Sequence, residues 1–248
     1  MALIVQKFGG SSVADSHRIQ HVCNIIAKTY DAGNQVVVVL SAQGDTTDLL
    51  IEKAKELNPC PSARELDVLL STGEQISVAL AAMCMERMGY SAVSLTGWQA
   101  GIETSSEHSV AKITKISKGA ITRELEKGRI VFVAGFQGID AQGEITTLGR
   151  GGSDTTAVAL AVALHADACQ IFTDVDGVYT ADPRKDPNAT KLDEINYDEM
   201  LQMVNAGAQV LHDRCVILAM HHNIPLEVCS SFTGNPGTLV HSMAAQKL

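Results

Sequence analysis

Hydrophobic residues recur along this chain with two different periods, which predict strands and helices in alternation. Short apolar or alternating runs predict strands at residues 3–8, 35–41, 92–95, 130–134, 169–173 and 225–229. Spacings of three and four residues predict helices at residues 17–32, 47–57, 62–88 with a break near Gly73, 120–126, 154–165, 197–204 and 209–222. Several strands are continuously apolar, so the alternation indicates an α/β fold: a three-layer αβα sandwich around a largely parallel sheet.

The segment TTLGRGGSDTTAVALAVAL at residues 146–164 joins a glycine-rich turn to an apolar helix. The first N–H groups of a helix lack intrahelical partners and lie at the positive end of the helix dipole, so this junction suits an anion. Ser153 and Asp154 lie where N-cap residues are expected, and Arg150 lies between glycines. An ordinary capped helix accounts for Ser153 or Asp154 but leaves Arg150 unexplained, so an anion site is the favoured interpretation.

A second glycine turn follows the first predicted strand. Lys7 shortly precedes Gly9 and Gly10, and a helix is predicted soon afterwards. Strand, glycine turn and helix in this order form phosphate sites in open α/β sheets, and a lysine there supplies a mobile positive charge, although a plain tight turn shows the same pattern. Neither the P-loop motif nor the dinucleotide fingerprint GxGxxG occurs in the chain, so neither of those enzyme classes is favoured.

Two more polar loops follow predicted strands. SAQGDTTD at residues 41–48 leaves the most apolar strand, and FTDVDGVYTADPR at residues 172–184 includes the end of the fifth strand and the loop after it. The second loop combines carboxylates and hydroxyls with Tyr179 and Arg184, which a simple acidic turn would not need. These groups suit a nucleotide, with the ring or the backbone against the base and the guanidinium toward phosphate.

Composition narrows the class of protein. The 248 residues are 46% hydrophobic and 19% charged, enough for one large α/β domain or two lobes that share a sheet. A net charge of −9 disfavours nucleic acid and anionic membranes as partners. No uninterrupted apolar run reaches the roughly 18 residues of a membrane span, no secretion signal opens the chain, and the six cysteines lack a CxxC pair. We therefore expect buried thiols and a cytoplasmic location.

His212, His221 and His222 suggest a metal site, but adjacent side chains on a helix diverge, so no metal ligand is predicted.

Five segments taken together resemble the catalytic domain of the aspartokinases, in the amino acid kinase family. They are KFGGSS from Lys7, SAQGDTTD from Ser41, STGEQIS from Ser71, TTLGRGGSDTTA from Thr146 and TDVDGVYTADPR from Thr173. The resemblance covers essentially the whole chain in order. The last segment is shared across the wider family, whereas KFGGSS, the Gly73-Glu74 pair and LGRGGSD distinguish the aspartokinases. Gln43 stands where a methionine is usual, and Asp213 stands where a proline is usual.

The resemblance implies transfer of a phosphoryl group from ATP, with Mg²⁺, to the side-chain carboxylate of L-aspartate. It places Lys7 and Asp154 at the reaction, where Lys7 neutralises the transferring group and Asp154 orients Lys7 or a magnesium-bound water. The acceptor contacts that it implies are Thr47, Glu74, Arg150 and Ser153. The nucleotide contacts that it implies are Lys7, Gly9, Gly10, Ser41, Thr173, Asp174, Tyr179, Asp182 and Arg184. No protein ligand of magnesium is assigned, since phosphate oxygens and water would hold it.

The resemblance also implies a division of labour along the chain. Residues 1 to roughly 150 form an acceptor-binding lobe and residues from roughly 151 to 240 a nucleotide-binding lobe. Aspartokinases usually continue after a segment such as NPGTL, here residues 235–239, into paired ACT domains, and no ACT domain is expected within these 248 residues. L-Aspartate is the expected small-molecule partner, and a homo-oligomer or a complex with a regulatory subunit is expected.

Two alternatives stay open on the sequence. Another member of the family with a different acceptor would share the nucleotide loop but would lack the combination of Glu74 and Arg150. A non-catalytic subunit would have lost Lys7 or Asp154. The four residues are present together, which favours the aspartate-phosphorylating enzyme.

Overall fold

The computed structural model of the chain describes residues 1–181, 186, 188–208, 210–233 and 235–242. Within them the strands are β1 (Leu3–Phe8), β2 (Gln35–Leu40), β3 (Ala92–Leu95), β4 (Ile102–Thr104), β5 (Ile113–Ile116), β6 (Ile130–Ala134), β7 (Gln137–Ile139), β8 (Ile145–Thr147), β9 (Ala168–Thr173), β10 (Glu194–Asn196), β11 (Leu226–Ser230) and β12 (Thr238–His241). The helices are α1 (Ser16–Asp31), α2 (Thr46–Leu57), α3 (Ala63–Arg87), α4 (Gly119–Glu126), α5 (Gly152–Leu164), α6 (Tyr197–Asn205) and α7 (Asp213–His222), with a short 3-10 helix at Gly10–Val13. Every strand and helix that the sequence predicts is present, although the last helix begins at Asp213 and not at residue 209, which lies outside the described residues.

The large sheet positions the rest of the molecule. In the described part of the chain it has eight strands, in the order β10-β12-β11-β9-β1-β2-β6-β3. From β11 to β3 each strand runs parallel to its neighbour, and β12 pairs antiparallel with β11. Helices cover both faces of this sheet. The predicted αβα sandwich with a largely parallel sheet is confirmed.

Side chains of the central strands alternate between two buried layers. In β2, Val36 and Val38 join a cluster with α1 and α3, whereas Val37 and Val39 join a cluster with α4, α5 and α7. All four valines are fully buried, which contributes about 1.5–3 kcal/mol for each side chain. A strand buried on both faces has no polar alternation, so its continuous apolar run is the signal that predicts it.

A second, smaller sheet escapes the sequence prediction. Its four strands have the order β5-β4-β7-β8, and β8 packs against α3. Each strand has only three or four residues, and β10 and β12 in the large sheet are equally short. Segments of three or four residues contain few positions at which to establish a period of two, so hydrophobic patterning rarely reveals them, and β3 is the strand of this length that it does predict.

Gly73 lies inside a continuous helix, so the predicted break at this position was wrong. Helix α3 runs without interruption through Gly73. A Cβ atom at this residue would lie 2.8 Å from the Cβ of Ala42, in the loop after β2. The glycine therefore permits a close approach between the helix and that loop, which offsets the cost of about 1 kcal/mol for glycine in a helix.

Helix α3 is also the most apolar long segment. By length and composition alone it could cross a membrane. Half of its most apolar stretch is buried in the fold, where α3 packs on α1, β3 and β6. These contacts are those of the core helix of a globular domain.

Most of the cysteines are buried, as the sequence analysis predicts. Cys23, Cys169, Cys215 and Cys229 are buried, and Cys84 is partly buried. Cys60 is exposed in the loop between α2 and α3, so the expectation of a buried thiol was wrong there. This loop contains prolines and is not covered by another element, whereas the other cysteines lie in helices or strands.

Candidate active site

The loops after β9, β1, β2 and β6 lie side by side at one edge of the large sheet. These strands are adjacent and parallel, so their carboxyl ends point the same way. Backbone hydrogen bonds join the loops: the Gly44 N–H donates to the Gly10 carbonyl at 3.0 Å, and the Gly135 N–H donates to the Leu40 carbonyl at 3.1 Å. This is the edge at which open α/β sheets bind their ligands.

Lys7 and Asp154 form an ion pair beside the first glycine turn. The Lys7 Nζ lies 2.6 Å from the Asp154 Oδ1, and the two side chains are 12% and 10% exposed. Lys7 belongs to β1 and Asp154 to the first turn of α5, so the pair joins the sheet to a helix N-terminus. A Cβ atom at Gly9 would lie 3.5 Å from the Lys7 Nζ, which places the ammonium directly at the turn. A positive charge here can stabilise a phosphate group.

Helix α5 begins earlier than predicted. Its N-cap is Gly151, in the left-handed conformation with φ of 68° and without a side-chain cap. Ser153 and Asp154 therefore lie in the first turn, and their predicted N-cap position was wrong. Glycine is required at residue 151 because its φ is positive and because a Cβ atom would overlap the His212 ring. Since no N-cap side chain competes for the N–H groups of the first turn, an anionic ligand can use them.

Arg150 lies exposed between two glycines that both have positive φ. The φ angles are 71° at Gly149 and 68° at Gly151. The Arg150 guanidinium takes part in none of the ion pairs found among the described residues. A guanidinium in this situation can bind a carboxylate with two parallel hydrogen bonds.

Glu74 supplies a buried carboxylate on α3. The residue is 3% exposed, and its Oε1 accepts a hydrogen bond from the Ala42 N–H at 3.1 Å. Its Oε2 is buried and has no hydrogen-bond partner among the described residues. Burial raises the pKa of Glu74 to about 8, because the charged form loses its hydration. A cationic donor placed against Oε2 would satisfy this oxygen and favour the ionised carboxylate.

Three hydroxyl groups of the predicted site lie close to the loops at the carboxyl edge of the large sheet. Ser41 follows β2, Thr47 lies in the first turn of α2, and both are partly buried. Ser153 is buried against Gly135, at which a Cβ atom would lie 2.8 Å from the Ser153 Oγ. None of these three hydroxyls forms a hydrogen bond with another described residue, so they can bond to a ligand.

The loop after β9 brings two of its predicted residues to the sheet edge. The Thr173 Oγ1 donates to the Asp174 Oδ1 at 3.0 Å, and Asp174 is exposed. The Tyr179 hydroxyl is engaged further along the loop, where it donates to the Asp176 Oδ1 at 2.8 Å and helps to hold the pKa of Asp176 below its usual range. Asp182 and Arg184 lie outside the described residues.

Sequence reasoning missed Asp67, which holds the end of the strand that leads into the turn with Arg150. This carboxylate is fully buried on α3. It accepts the N–H groups of Ser109 at 2.9 Å and Thr147 at 3.0 Å, and the Thr147 hydroxyl at 2.7 Å. These bonds fix the end of β8, from which the glycine turn begins. A signal existed: polar residues recur at positions 67, 71, 74 and 77 on the buried face of an apolar helix.

The fold and the site define an α/β protein whose two glycine turns and nearly buried lysine–aspartate pair meet at the carboxyl edge of a parallel sheet. The chain belongs to the amino acid kinase family, whose model matches residues 2–230. The family resemblance of the sequence motifs is thereby confirmed.

Particular relatives make the likeness more specific. The aspartokinase of Geobacillus stearothermophilus is 58% identical over 240 residues, which are 97% of this chain and 59% of that protein. The chain thus spans less than two thirds of that relative's length. The structure of Escherichia coli aspartokinase III in complex with aspartate and ADP has a TM-score of 0.87 and 30% identity, over 98% of this chain and 65% of that one. The aspartate kinase structure from Synechocystis has a TM-score of 0.85 and 47% identity, over 100% of this chain and 41% of that one.

Proposed function

We propose that this protein transfers a phosphoryl group from ATP to the side-chain carboxylate of L-aspartate, giving ADP and an acyl phosphate. Its family and its likeness to an aspartokinase solved with aspartate and ADP support this choice of acceptor and donor. A carboxylate with a pKa of about 3.9 is already ionised at neutral pH, so the reaction needs no general base. The site has to hold two anions in line and to stabilise the charge that develops between them.

Recognition of the acceptor depends on Glu74, and this is the observation that carries the proposal. Its buried Oε2 needs a donor, and the α-ammonium of an amino acid supplies one with the matching charge. A nucleoside monophosphate would instead bring negative charge toward a buried carboxylate. Arg150 binds the α-carboxylate as a bidentate partner, and the hydroxyls of Thr47 and Ser153 complete the contacts.

Phosphoryl transfer depends on Lys7. Its ammonium neutralises charge on the transferring group, together with the N–H groups of Gly9 and Gly10. Asp154 holds the ammonium in place through the 2.6 Å ion pair and does not accept a proton. Because both side chains are nearly buried, the charge of Lys7 acts with little screening by water.

The nucleotide contacts are assigned to Ser41, Thr173 and Asp174 at the sheet edge and to the ring of Tyr179. The Tyr179 hydroxyl already donates to Asp176, so the ring rather than the hydroxyl is available to the base. Asp182 and Arg184 complete the assignment. Among the described residues no group of three or more possible metal ligands converges. A Mg²⁺ ion would be held mainly by phosphate oxygens and water, where it would neutralise their charge.

The same assignment divides the chain by role but not by sheet. Residues 1 to roughly 150 form the acceptor-binding lobe and residues from roughly 151 to 240 the nucleotide-binding lobe, but Ser41 and Ser153 each serve the other lobe's ligand. The division does not follow the sheet either, because β1 pairs with both β2 and β9 in one continuous sheet. The free cysteines support a cytoplasmic location.

A coupled assay of ADP release against a panel of amino acids and nucleoside monophosphates tests the proposal. We expect release that requires both L-aspartate and magnesium, with hydroxylamine trapping the acyl phosphate as a hydroxamate. Turnover with a nucleoside monophosphate and none with aspartate would refute it. A Lys7→Ala variant serves as the control for contaminating kinases, since it should lose the activity.

A further inference from the structure

Arg214 on helix α7 holds the backbone of the turn that carries Arg150. Its Nη1 donates to the Leu148 carbonyl at 3.0 Å, and its Nη2 donates to the Arg150 carbonyl. The two carbonyls flank Gly149, so a single guanidinium spans the turn. Arg214 lies in the first turn of α7, and it is partly buried.

This turn needs support from outside. Gly149 and Gly151 both adopt positive φ, a region that glycine occupies without the steric cost met by other residues, so no side chain of the two glycines holds the turn in place. Asp67 fixes the segment at Thr147 through the bonds described above, but none of the hydrogen bonds among the described residues joins Leu148–Gly152 to α3. Helix α7 supplies the second anchor through Arg214.

We infer that Arg214 is a positioning residue for the acceptor's carboxylate and that it acts only through Arg150. The inference rests on the proposed function, in which Arg150 binds that carboxylate. Both described hydrogen bonds of the Arg214 guanidinium go to backbone carbonyls of the turn, which fixes the point from which the Arg150 side chain extends. A bidentate pair tolerates little displacement, because both of its hydrogen bonds depend on the same guanidinium plane.

A double-mutant cycle separates positioning from direct contact. Arg214→Ala should raise the aspartate KM on the order of tenfold, as for hydrogen bonds that involve a charged group, and should leave the ATP KM and most of kcat unchanged. Where Arg150→Ala is already present, adding Arg214→Ala should change the aspartate KM less than about twofold, because the residue through which it acts is gone. Additive effects on KM would overturn the inference.

Chemical rescue separates positioning from general stabilisation. Arg214 lines a groove of about 340 Å³ that is also formed by residues of α5 and α7, so a free guanidinium ion can reach the vacated space. Millimolar guanidinium should restore the aspartate KM of Arg214→Ala toward the wild-type value. The matched control is Arg129→Ala, which removes a guanidinium bound to Glu124 and should show no such response.

The outcomes distinguish this inference from the proposed function. A wild-type enzyme that releases no ADP with aspartate overturns the proposed function and the inference with it. If the wild-type enzyme is active and Arg214→Ala keeps the wild-type aspartate KM, the inference alone is overturned and the proposed function stands. The inference also fails if that variant loses kcat and melting temperature together and guanidinium restores neither.

Discussion

Glu74→Gln tests acceptor recognition most directly, because it removes a charge and keeps the shape of the side chain. The amide oxygen can still accept the Ala42 N–H, but an NH₂ group then faces the α-ammonium in place of Oε2. The loss is that of one hydrogen bond between charged groups, about 1.5–3 kcal/mol. We therefore expect the aspartate KM to rise roughly tenfold to a hundredfold, with kcat much less affected.

The raised pKa of Glu74 adds a pH dependence to this prediction. Below its pKa of about 8 the free enzyme holds Glu74 protonated, so binding of an ammonium group must release that proton. Each pH unit below the pKa then costs about 1.4 kcal/mol of binding free energy. The aspartate KM of the wild-type enzyme should fall up to roughly tenfold per unit as the pH rises from about 6 to 8, and the variant should lose this slope.

The raised pKa of Glu74 also makes the free energy of unfolding depend on pH. The pKa of Glu74 is raised from 4.5 to about 8 by folding, so its stabilising contribution is complete below pH 4.5 and is lost as the pH rises through 8. The loss between about pH 6 and pH 9 amounts to about 3 kcal/mol in the free energy of unfolding. Burial also raises the pKa of thiols such as Cys215, but these groups are common to the wild type and the variant.

Initial rates of ADP release across this pH range, and urea unfolding at its two ends, measure both effects. Relative to wild type, Glu74→Gln should gain stability as the pH rises, and its KM profile should be flat. Glu124→Gln is the control, since Glu124 pairs with Lys127 and Arg129 and its pKa is lowered. Parallel KM profiles for the wild type and Glu74→Gln would refute the assigned contact with the ammonium group.

Three further variants test the other parts of the site. Lys7→Ala should lower kcat about a hundredfold or more at saturating aspartate, because it removes a transition-state charge, and a change confined to KM in steady-state kinetics would contradict this role. Arg150→Lys should raise the aspartate KM roughly tenfold to a hundredfold in the same assay, and an unchanged KM would exclude the bidentate pair. Gly73→Ala should reduce the free energy of urea unfolding by up to about 2 kcal/mol, since a Cβ 2.8 Å from that of Ala42 costs about 1–3 kcal/mol and alanine regains about 1 kcal/mol in a helix. Gly119→Ala, which meets no atom within 4 Å, is its control, and equal stability of the two variants would contradict the steric argument.

The sequence predicted the parts of the fold that have strong local signals. Continuous apolar runs such as residues 36–40 indicated strands buried on both faces, and alternation with helices then required them to be parallel. Parallel neighbours end at the same edge, so the loops after them could be placed together without any structure. The meeting of Lys7 with Asp154 follows from this topology, although nothing local to either residue predicts their 2.6 Å separation.

The errors have local causes too. Gly73 looked like a helix break because glycine disfavours a helix by about 1 kcal/mol, and the sequence does not reveal the tertiary contact with Ala42 that outweighs it. Ser153 and Asp154 looked like N-cap residues because their side chains suit that position, yet the left-handed Gly151 takes it. In each case a long-range or backbone requirement prevailed over a side-chain preference.

The residues that position the site differ in kind from those that form it. Lys7 lies two residues before a glycine pair and Arg150 lies between two glycines, and such glycine turns can be recognised in a sequence. Asp67 and Arg214 bind backbone groups that are 80 and 66 residues away in the sequence, respectively. Every residue other than proline has the same backbone N–H and carbonyl, so the sequence does not show which of them will be bound. A buried carboxylate on an apolar helix, as at Asp67, can be recognised as in need of partners, but those partners become known only when the chain is folded. The turn that carries Arg150 is held from α3 at one end and from α7 at the other, so its geometry depends on both halves of the molecule.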